Sequence, residues 1–434
     1  MARKVFISVL GYSNYSECYY IDKNKNFKSG LVRYVQEATL QYLSQDNTWS
    51  KSDIAYILLT EGAEQRNWVD NGQVEYGTNI SIIQTGLESQ LKKLHLLFPV
   101  IPVNIPEGNN EKEIWTIFER IFELIQDDDE LYFDLTHGFR YLPMLILVLG
   151  NYTKFLKNIT IKSITYGNYE ARNRDTNEAP FINLMTLSNL QDWTSASASF
   201  IKSGNITMLK NVSNTALTPI LREAQGANHA ATTLKKYINI LEKVVDDMNT
   251  CRGTNILEGE NISKLLSLSD QLKDTDIIIE PLKPIINKIK NSFRDFIPSS
   301  NIKNGYLSAK WCFDNSLYQQ ALTILHETIV SHICEKENFN IDNKEKREIV
   351  NKAFKIHRDR LKEEEWTVEN DKEKELIKQV LQNKLLENLS HIFKITTGLR
   401  NDFNHAGMNK NPAKKERLIK NLEDCINTVI NLSL

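Results

Sequence analysis

Arg400 and His405 lie five positions apart in the run Gly398-Leu399-Arg400-Asn401-Asp402-Phe403-Asn404-His405-Ala406-Gly407. Arginine is a permanent cation whose planar fork of donors matches a phosphate. Histidine has an ordinary pKa that lets it give and take a proton near neutral pH. An RNA phosphodiester carries its own nucleophile, the 2′-OH, so these two side chains are the parts of a metal-free cleavage site. The guanidinium would hold the scissile phosphate and the imidazole would move protons. Asn401 would orient Arg400 or touch the phosphate, with Asn404 second in line, and Phe403 reads as core rather than as a base-stacking platform. The same spacing also suits a surface charge beside a capping histidine; what separates the two readings lies far upstream.

A second set of chemistry-bearing residues sits at three strand ends in the first half of the chain. The sharpest is Phe133-Asp134-Leu135-Thr136-His137-Gly138-Phe139-Arg140, where an apolar strand gives way to a helix. Backbone N–H groups at a helix start attract anions, glycine permits close approach, and Thr136, His137 and Arg140 add donors for a phosphate. The plainer reading makes Thr136 a helix cap and bonds His137 to a neighbouring loop. The other two strand ends are Leu10-Gly11-Tyr12-Ser13-Asn14-Tyr15 and Leu59-Thr60-Glu61-Gly62-Ala63-Glu64-Gln65-Arg66. Neither a G-x-G-x-x-G nor a Walker loop occurs, which argues against a dinucleotide or a magnesium-bound nucleoside triphosphate.

Strand-like runs at 5–10, 54–60, 100–104, 131–135, 161–166 and 181–185 alternate with helical patterns at 31–43, 82–97, 114–125 and 142–156. This order predicts a twisted, mostly parallel sheet covered on both faces, whose ligands bind at the carboxyl ends of strands where strand order reverses. From about residue 190 the pattern is helical, with period-3.6 segments at 278–296, 317–334, 346–361 and 376–399 among others. The run Ser195-Ala196-Ser197-Ala198-Ser199, between Trp193 and Phe200, reads as a packed small-residue helix face, and the charged stretch 362–374 as a solvated helix or loop. The expectation is an α/β unit over 1–190 followed by an all-α unit over 191–434, of which 191–300 could be a connecting part. No solenoid repeat is present.

A length of 434 residues suits two or three domains, and a formal charge of −2 recruits nucleic acid only through a local patch. Five scattered cysteines without a C-x-x-C pair suit a reducing compartment, the cytoplasm. The longest apolar run, 142–150, is about half of a membrane span. His326-Glu327 lacks the second histidine of a zinc-protease helix, since Val330 occupies that place and His332 faces elsewhere; Glu327 is expected to brace the bundle or pair with a cation. His95, His229, His357 and His391 have no ligand-like neighbours in sequence, so no metal or cofactor is expected.

On the three strand ends, above all Asp134-Leu135-Thr136-His137-Gly138-Phe139-Arg140-Tyr141-Leu142-Pro143, the N-terminal half resembles CARF domains, Rossmann-like sensors of cyclic oligoadenylate in type III CRISPR systems. On Arg400-Asn401 with His405, and on the helix from Leu317-Tyr318-Gln319-Gln320-Ala321 to His326-Glu327, the C-terminal half resembles the HEPN ribonuclease domain that accompanies CARF. The segment from about 250 to 300 carries no motif.

The resemblance implies a cytoplasmic homodimer with no membrane anchor. One shared pocket would take a cyclic oligoadenylate, tetra-adenylate being favoured and the hexamer open. One composite site would cut single-stranded RNA through Arg400, His405 and Asn401. Gly11, Tyr12, Ser13, Asn14, Thr60, Glu61, Gly62, Ala63, Thr136, His137, Gly138 and Arg140 would contact the ligand. Helix geometry gives the dimer a reason: five helical residues turn Arg400 and His405 about 140° apart and separate them by about 7.5 Å along the axis, so one copy does not readily close around one phosphate. Two other readings remain at this point. One is a non-catalytic nucleotide-sensing regulator. The other is a ring nuclease that degrades the cyclic activator, with Ser13 or Thr60 positioning the ring's 2′-OH.

Overall fold

The computed structural model describes residues 2–23, 25–45, 48–74, 80–138, 141–273, 281–408 and 412–432. Two compact units divide the chain, Met1–Asn189 and Leu190–Leu434.

Among the described residues the first unit is built on eight strands: β1 (Lys4–Val9), β2 (Tyr19–Asp22), β3 (Phe27–Lys28), β4 (Ile54–Leu59), β5 (Val100–Asn104), β6 (Glu130–Asp134), β7 (Thr160–Gly167) and β8 (Glu178–Asn183). Their order in the sheet is β3-β2-β8-β7-β6-β1-β4-β5. The five from β7 to β5 run parallel, β8 is antiparallel to β7, and β3 is antiparallel to β2. After β1 the chain lays β2 and β3 at the far edge of the sheet, comes back to add β4 and β5 on one side of β1, and then places β6 on the other side. The reversal of strand order therefore falls between β1 and β6, with their carboxyl ends side by side.

The sheet is covered by α1 (Val35–Ser44), α2 (Glu61–Ala63), α3 (Leu87–Lys92), α4 (Glu111–Leu124) and α5 (Leu142–Lys157). Strand β1 shows why both faces need cover. Val5, Ile7 and Val9 join Ile117, Ile121, Leu145 and Leu149 of α4 and α5 in one core. Phe6 joins Leu40 of α1 and Leu87 and Leu91 of α3 in another. Alternate side chains buried on opposite faces make the continuous apolar run of a central parallel strand. Strands β2 and β3 were not anticipated. The signal for β2 was a period-two pattern in which Cys18 and Tyr20 are buried while Tyr19 and Ile21 are less so.

The second unit is helical: α6 (Met185–Ser203), α7 (Thr207–Glu223), α8 (His229–Asn249), α9 (Gly253–Glu258), α10 (Glu260–Lys273), α11 (Leu282–Asn291), α12 (Lys303–Asp314), α13 (Tyr318–Lys336), α14 (Lys344–Asp359), α15 (Asp371–Leu381), α16 (Lys384–Asn404) and α17 (Lys415–Asn431). In α6, Ala196 and Ser197 of the small-residue run are buried, whereas Ser195 and Ala198 are exposed. The segment 376–399, read as one helix, is broken. Asn383 adopts an extended backbone and its Oδ1 accepts from Leu385 N at 2.9 Å, capping α16 and ending α15. Of the expected helix 278–296, residues 278–280 lie outside the described residues. In the charged stretch 362–374, Glu363 receives both Lys374 and Lys378, and α15 begins at Asp371.

Candidate functional site

In the helical unit, α16 packs on α13 and buries Leu386, Leu389, Phe393, Thr396 and Leu399, spaced for one helix face. His326 of α13 sets the register. Its ring stacks on Phe393 with centroids 4.6 Å apart, and its Nδ1 lies 3.1 Å from Thr396 Oγ1. The Thr396 hydroxyl donates to the Phe393 carbonyl, so Nδ1 of His326 carries the proton. This packing presents the next residue of α13, Glu327, to Arg400 of α16. Arg400 Nη1 donates to Glu327 Oε1 at 2.9 Å, while Arg347 Nη2 of α14 donates to Glu327 Oε2 at 2.6 Å. Partial burial would raise the Glu327 pKa, but the hydrogen bond and charge of Arg347, with His326 and Arg400, outweigh it and hold the carboxyl below its ordinary value. The expected pairing of Glu327 with a cation is present twice over.

His405 is the C-cap of α16, and the helix ends in a Schellman turn. Gly407 N donates to Asp402 O at 2.9 Å and Ala406 N to Phe403 O at 3.0 Å. Arg400 to Asn404 is helical, so the separation of about 140° and about 7.5 Å describes the arrangement within one copy. Asn401, Asn404 and His405 are exposed, and among the described residues no side-chain hydrogen bond engages them; Phe403 is half-buried against the core. Ala406 takes the left-handed position, φ +51°, that glycine favours. Ala406→Gly should therefore stabilise this turn by about 0.5–1 kcal/mol, read as a raised denaturant midpoint.

Two buried histidines give the unit a pH signature. Burial lowers the pKa of His326 to about 4 and, with a smaller effect of Lys336, that of His332 to about 4; His332 lies 3.0 Å from the Tyr306 hydroxyl. Their folded values lie below the unfolded value of about 6.5, so the unfolded chain takes up protons first as pH falls. The stability from burying them neutral is complete above pH ~6.5 and is lost on descending towards pH ~4, about 2 kcal/mol per histidine by pH ~5. Urea unfolding of the helical unit at a series of pH values would show this loss; a flat midpoint would contradict it.

In the first unit, the three nominated strand ends meet. They close β4, β1 and β6, adjacent parallel strands flanking the reversal of strand order. Asp134, fully buried at the end of β6, accepts from Ser8 Oγ at 2.8 Å, Thr136 Oγ1 at 2.5 Å and Thr136 N at 3.1 Å. Burial raises its pKa, and these hydrogen bonds pull part of the shift back. The Thr136 hydroxyl also accepts from Gly167 N at 2.8 Å, so its proton serves Asp134 and not a ligand. Nor does Thr136 cap the helix: the N-cap of α5 is Tyr141.

Partly buried His137 lies with its ring 4.3 Å from that of Tyr15, and burial lowers its pKa to about 4. At neutral pH it offers a neutral N–H rather than a charge. Gly138 has φ +119°, and a Cβ there would meet Leu142 Cδ1 at 2.8 Å and Val9 Cγ1 at 3.1 Å; the protein's own packing already demands glycine. Arg140, with Phe139, lies outside the described residues.

A Cβ on Gly11 would meet the Tyr15 hydroxyl at 2.3 Å, and one on Gly62 would meet the Tyr12 ring at 3.0 Å. The first and second strand ends thus touch through Tyr12 and Gly62. Tyr12, Ser13, Asn14 and Glu61 are exposed. Thr60 and Ala63 are buried, with the Thr60 hydroxyl accepting from Ala63 N at 3.3 Å, which leaves Ser13 as the exposed hydroxyl of the pair.

Residues 5–170 match the family model described as the CARF domain of the CRISPR system endoribonuclease Csx1. The N-terminal unit carries a CARF domain. Over 239 residues the chain is also 25% identical to the CRISPR-associated protein MJ1674 of Methanocaldococcus jannaschii, an alignment covering 54% of this chain and 34% of that relative. The chain thus spans about a third of the length of that relative.

Two residues at the mouth of the CARF strand ends were not nominated from sequence. Asn67 is buried and its Nδ2 donates to the carbonyls of Gly11 and Ser13, each at 2.9 Å, pinning the first loop from beneath. Arg66 donates to Asn14 Oδ1 at 2.9 Å and lays its guanidinium 4.6 Å over the Tyr12 ring. Both lie in the π-helical turn Glu64–Trp68, an irregularity that often marks functional positions. Arg66 is the last residue of the second strand-end run, though it was not among the expected ligand contacts, and Asn67 follows it directly; that closeness was the available signal. Among the described residues no cluster of three or more His, Cys, Asp or Glu could hold a metal ion, and no helix is long and apolar enough to cross a membrane.

Proposed function

We propose that the chain is a type III CRISPR ancillary endoribonuclease of the CARF–HEPN kind. Cyclic oligoadenylate, tetra-adenylate first, binds the CARF strand ends of two copies, and two helical units together cut single-stranded RNA in the cytoplasm without a metal. The observation that carries this reading is Arg400, held by Glu327 near the end of the helix that exposed His405 caps, in a chain whose other unit is a CARF domain.

In the reaction, Arg400 binds the scissile phosphate and stabilises charge on its non-bridging oxygens. One His405 takes the 2′-OH proton as the 2′-oxygen attacks phosphorus; the bond to O5′ breaks, and the His405 of the second copy protonates O5′. The products are a 2′,3′-cyclic phosphate and a 5′-OH. Asn401, exposed beside Arg400, orients it or contacts the phosphate.

An exposed apolar stripe on α5 supports pairing of two copies. Met144, Val148, Tyr152 and Phe155, at helical spacing, are 68%, 56%, 46% and 86% exposed and form an uncharged stripe. The helix follows the His137-Gly138 strand end directly in the chain, so pairing this stripe across a two-fold axis would draw two ligand sites towards each other.

Ligand binding activates only through a difference in affinity between active and inactive arrangements. The test is cleavage of single-stranded RNA with and without cyclic tetra-adenylate, in excess EDTA, with the product ends identified. Ligand-stimulated cleavage leaving cyclic phosphates is expected. Cleavage that EDTA abolishes would point to a metal nuclease, and ligand binding without RNA cleavage to a sensor.

A further inference from the structure

Arg347 lies outside the proposed chemistry, yet it is the most tightly held arginine near it. Its Nη2 donates to Glu327 Oε2 at 2.6 Å and to the Glu327 carbonyl at 3.2 Å. Its Nη1 donates to Ser331 Oγ at 2.8 Å and to the Ile341 carbonyl at 3.0 Å. These four acceptors fix the guanidinium against α13 and the turn before α14. Arg400, by contrast, donates to Glu327 Oε1 alone among the described residues.

We propose that Arg347 is a positioning residue for Arg400, acting through Glu327, and that it sets the net charge RNA meets at the site. This rests on the ribonuclease reading above. A carboxylate facing a lone guanidinium tends to a two-point pair, each oxygen taking one donor, and so consumes the fork that a phosphate needs. Here Arg347 occupies Oε2, which confines Glu327 to a one-point hold on Arg400 through Oε1. The rest of the Arg400 fork stays free for phosphate. The charges agree: two guanidiniums and one carboxylate leave +1, where Glu327 and Arg400 by themselves would be neutral. Without Arg347, Glu327 would change from an anchor into a competitor of the substrate.

The surroundings permit a clean experiment. Arg347 and Glu327 border a cavity of about 300 Å³, shared with Thr254, Thr328 and Asp342, which leaves room for truncation and for a small cation. In the full-length protein with cyclic tetra-adenylate, Arg347→Ala should raise the KM for RNA and lower kcat by about 10- to 100-fold. The log–log salt dependence of RNA binding should become shallower by about 0.7, the loss of roughly one effective phosphate contact on a single strand. Arg347→Lys restores the charge without the fork, so the KM and salt slope should recover while kcat stays low. Added methylguanidinium should restore activity to Arg347→Ala, whereas an equal concentration of potassium chloride should not.

A folded Arg347→Ala variant with wild-type kcat, KM and salt slope would overturn the proposal. Should that variant fail to fold, a wild-type kcat in Arg347→Lys overturns it equally. Full activity in Arg400→Ala would instead remove the ribonuclease reading, so the two failures are distinguishable.

Discussion

His405→Ala should abolish ligand-activated RNA cleavage while leaving the protein folded. The histidine is exposed, its side chain makes no hydrogen bond among the described residues, and the turn it belongs to is held by the backbone of Asp402, Phe403, Ala406 and Gly407. Truncation therefore removes chemistry and almost no stability. General acid–base catalysis contributes about 10²–10⁴ in rate for one positioned group. A symmetric site in which both copies supply the imidazole loses proton removal from the 2′-OH and proton delivery to O5′ together, so the variant should fall at least about 100-fold. Initial rates on fluorescent RNA, alongside unfolding curves for both proteins, would show this. A variant as active as the parent would remove His405 from the mechanism, and with it the ribonuclease assignment.

The second large effect is expected on assembly. Val148→Glu with Phe155→Glu places two carboxylates on each copy of an apolar stripe that carries none, and a two-fold axis doubles that to four. Losing the buried area of phenylalanine and desolvating a charge together weaken the interface by about 2–4 kcal/mol or more per altered residue. That corresponds to at least about a 30-fold rise in the dimer dissociation constant. Both side chains already face solvent in the single chain, so its fold should not suffer. Light scattering should show monomers at concentrations where the parent is dimeric, and activated cleavage should fall in step. A dimeric, fully active double variant would place the partner surface elsewhere.

Much of this is legible in the sequence alone. The strand ends at Gly11, Thr60 and Thr136 announced themselves by small and polar residues breaking apolar runs, and local rules cover such breaks. The helix end at Arg400 to Gly407 was legible for the same reason. What escaped depends on contacts far apart in the chain or on exceptions to local rules. The Arg400–Glu327 contact joins residues 73 apart and the Arg347–Glu327 contact residues 20 apart, so nothing near Arg347 in sequence marks it. Asn67 reads as an ordinary loop residue until its amide is seen under the carbonyls of Gly11 and Ser13. Asn383 breaks an otherwise continuous apolar period, because a capping side chain can end one helix and start the next without glycine or proline. Thr136 shows the opposite case: a hydroxyl that in sequence looks free for a ligand bonds to Asp134 and Gly167 in the fold.

Ligand bound at the first unit should govern cleavage by the second. Cleavage of a fluorescent single-stranded RNA, titrated in excess EDTA with cyclic tri-, tetra- and hexa-adenylate in turn, measures this dependence. One ring, expected to be the tetramer, should raise the rate steeply and saturate at one ligand per two chains. A rate that stays flat for every ring the protein binds would contradict it.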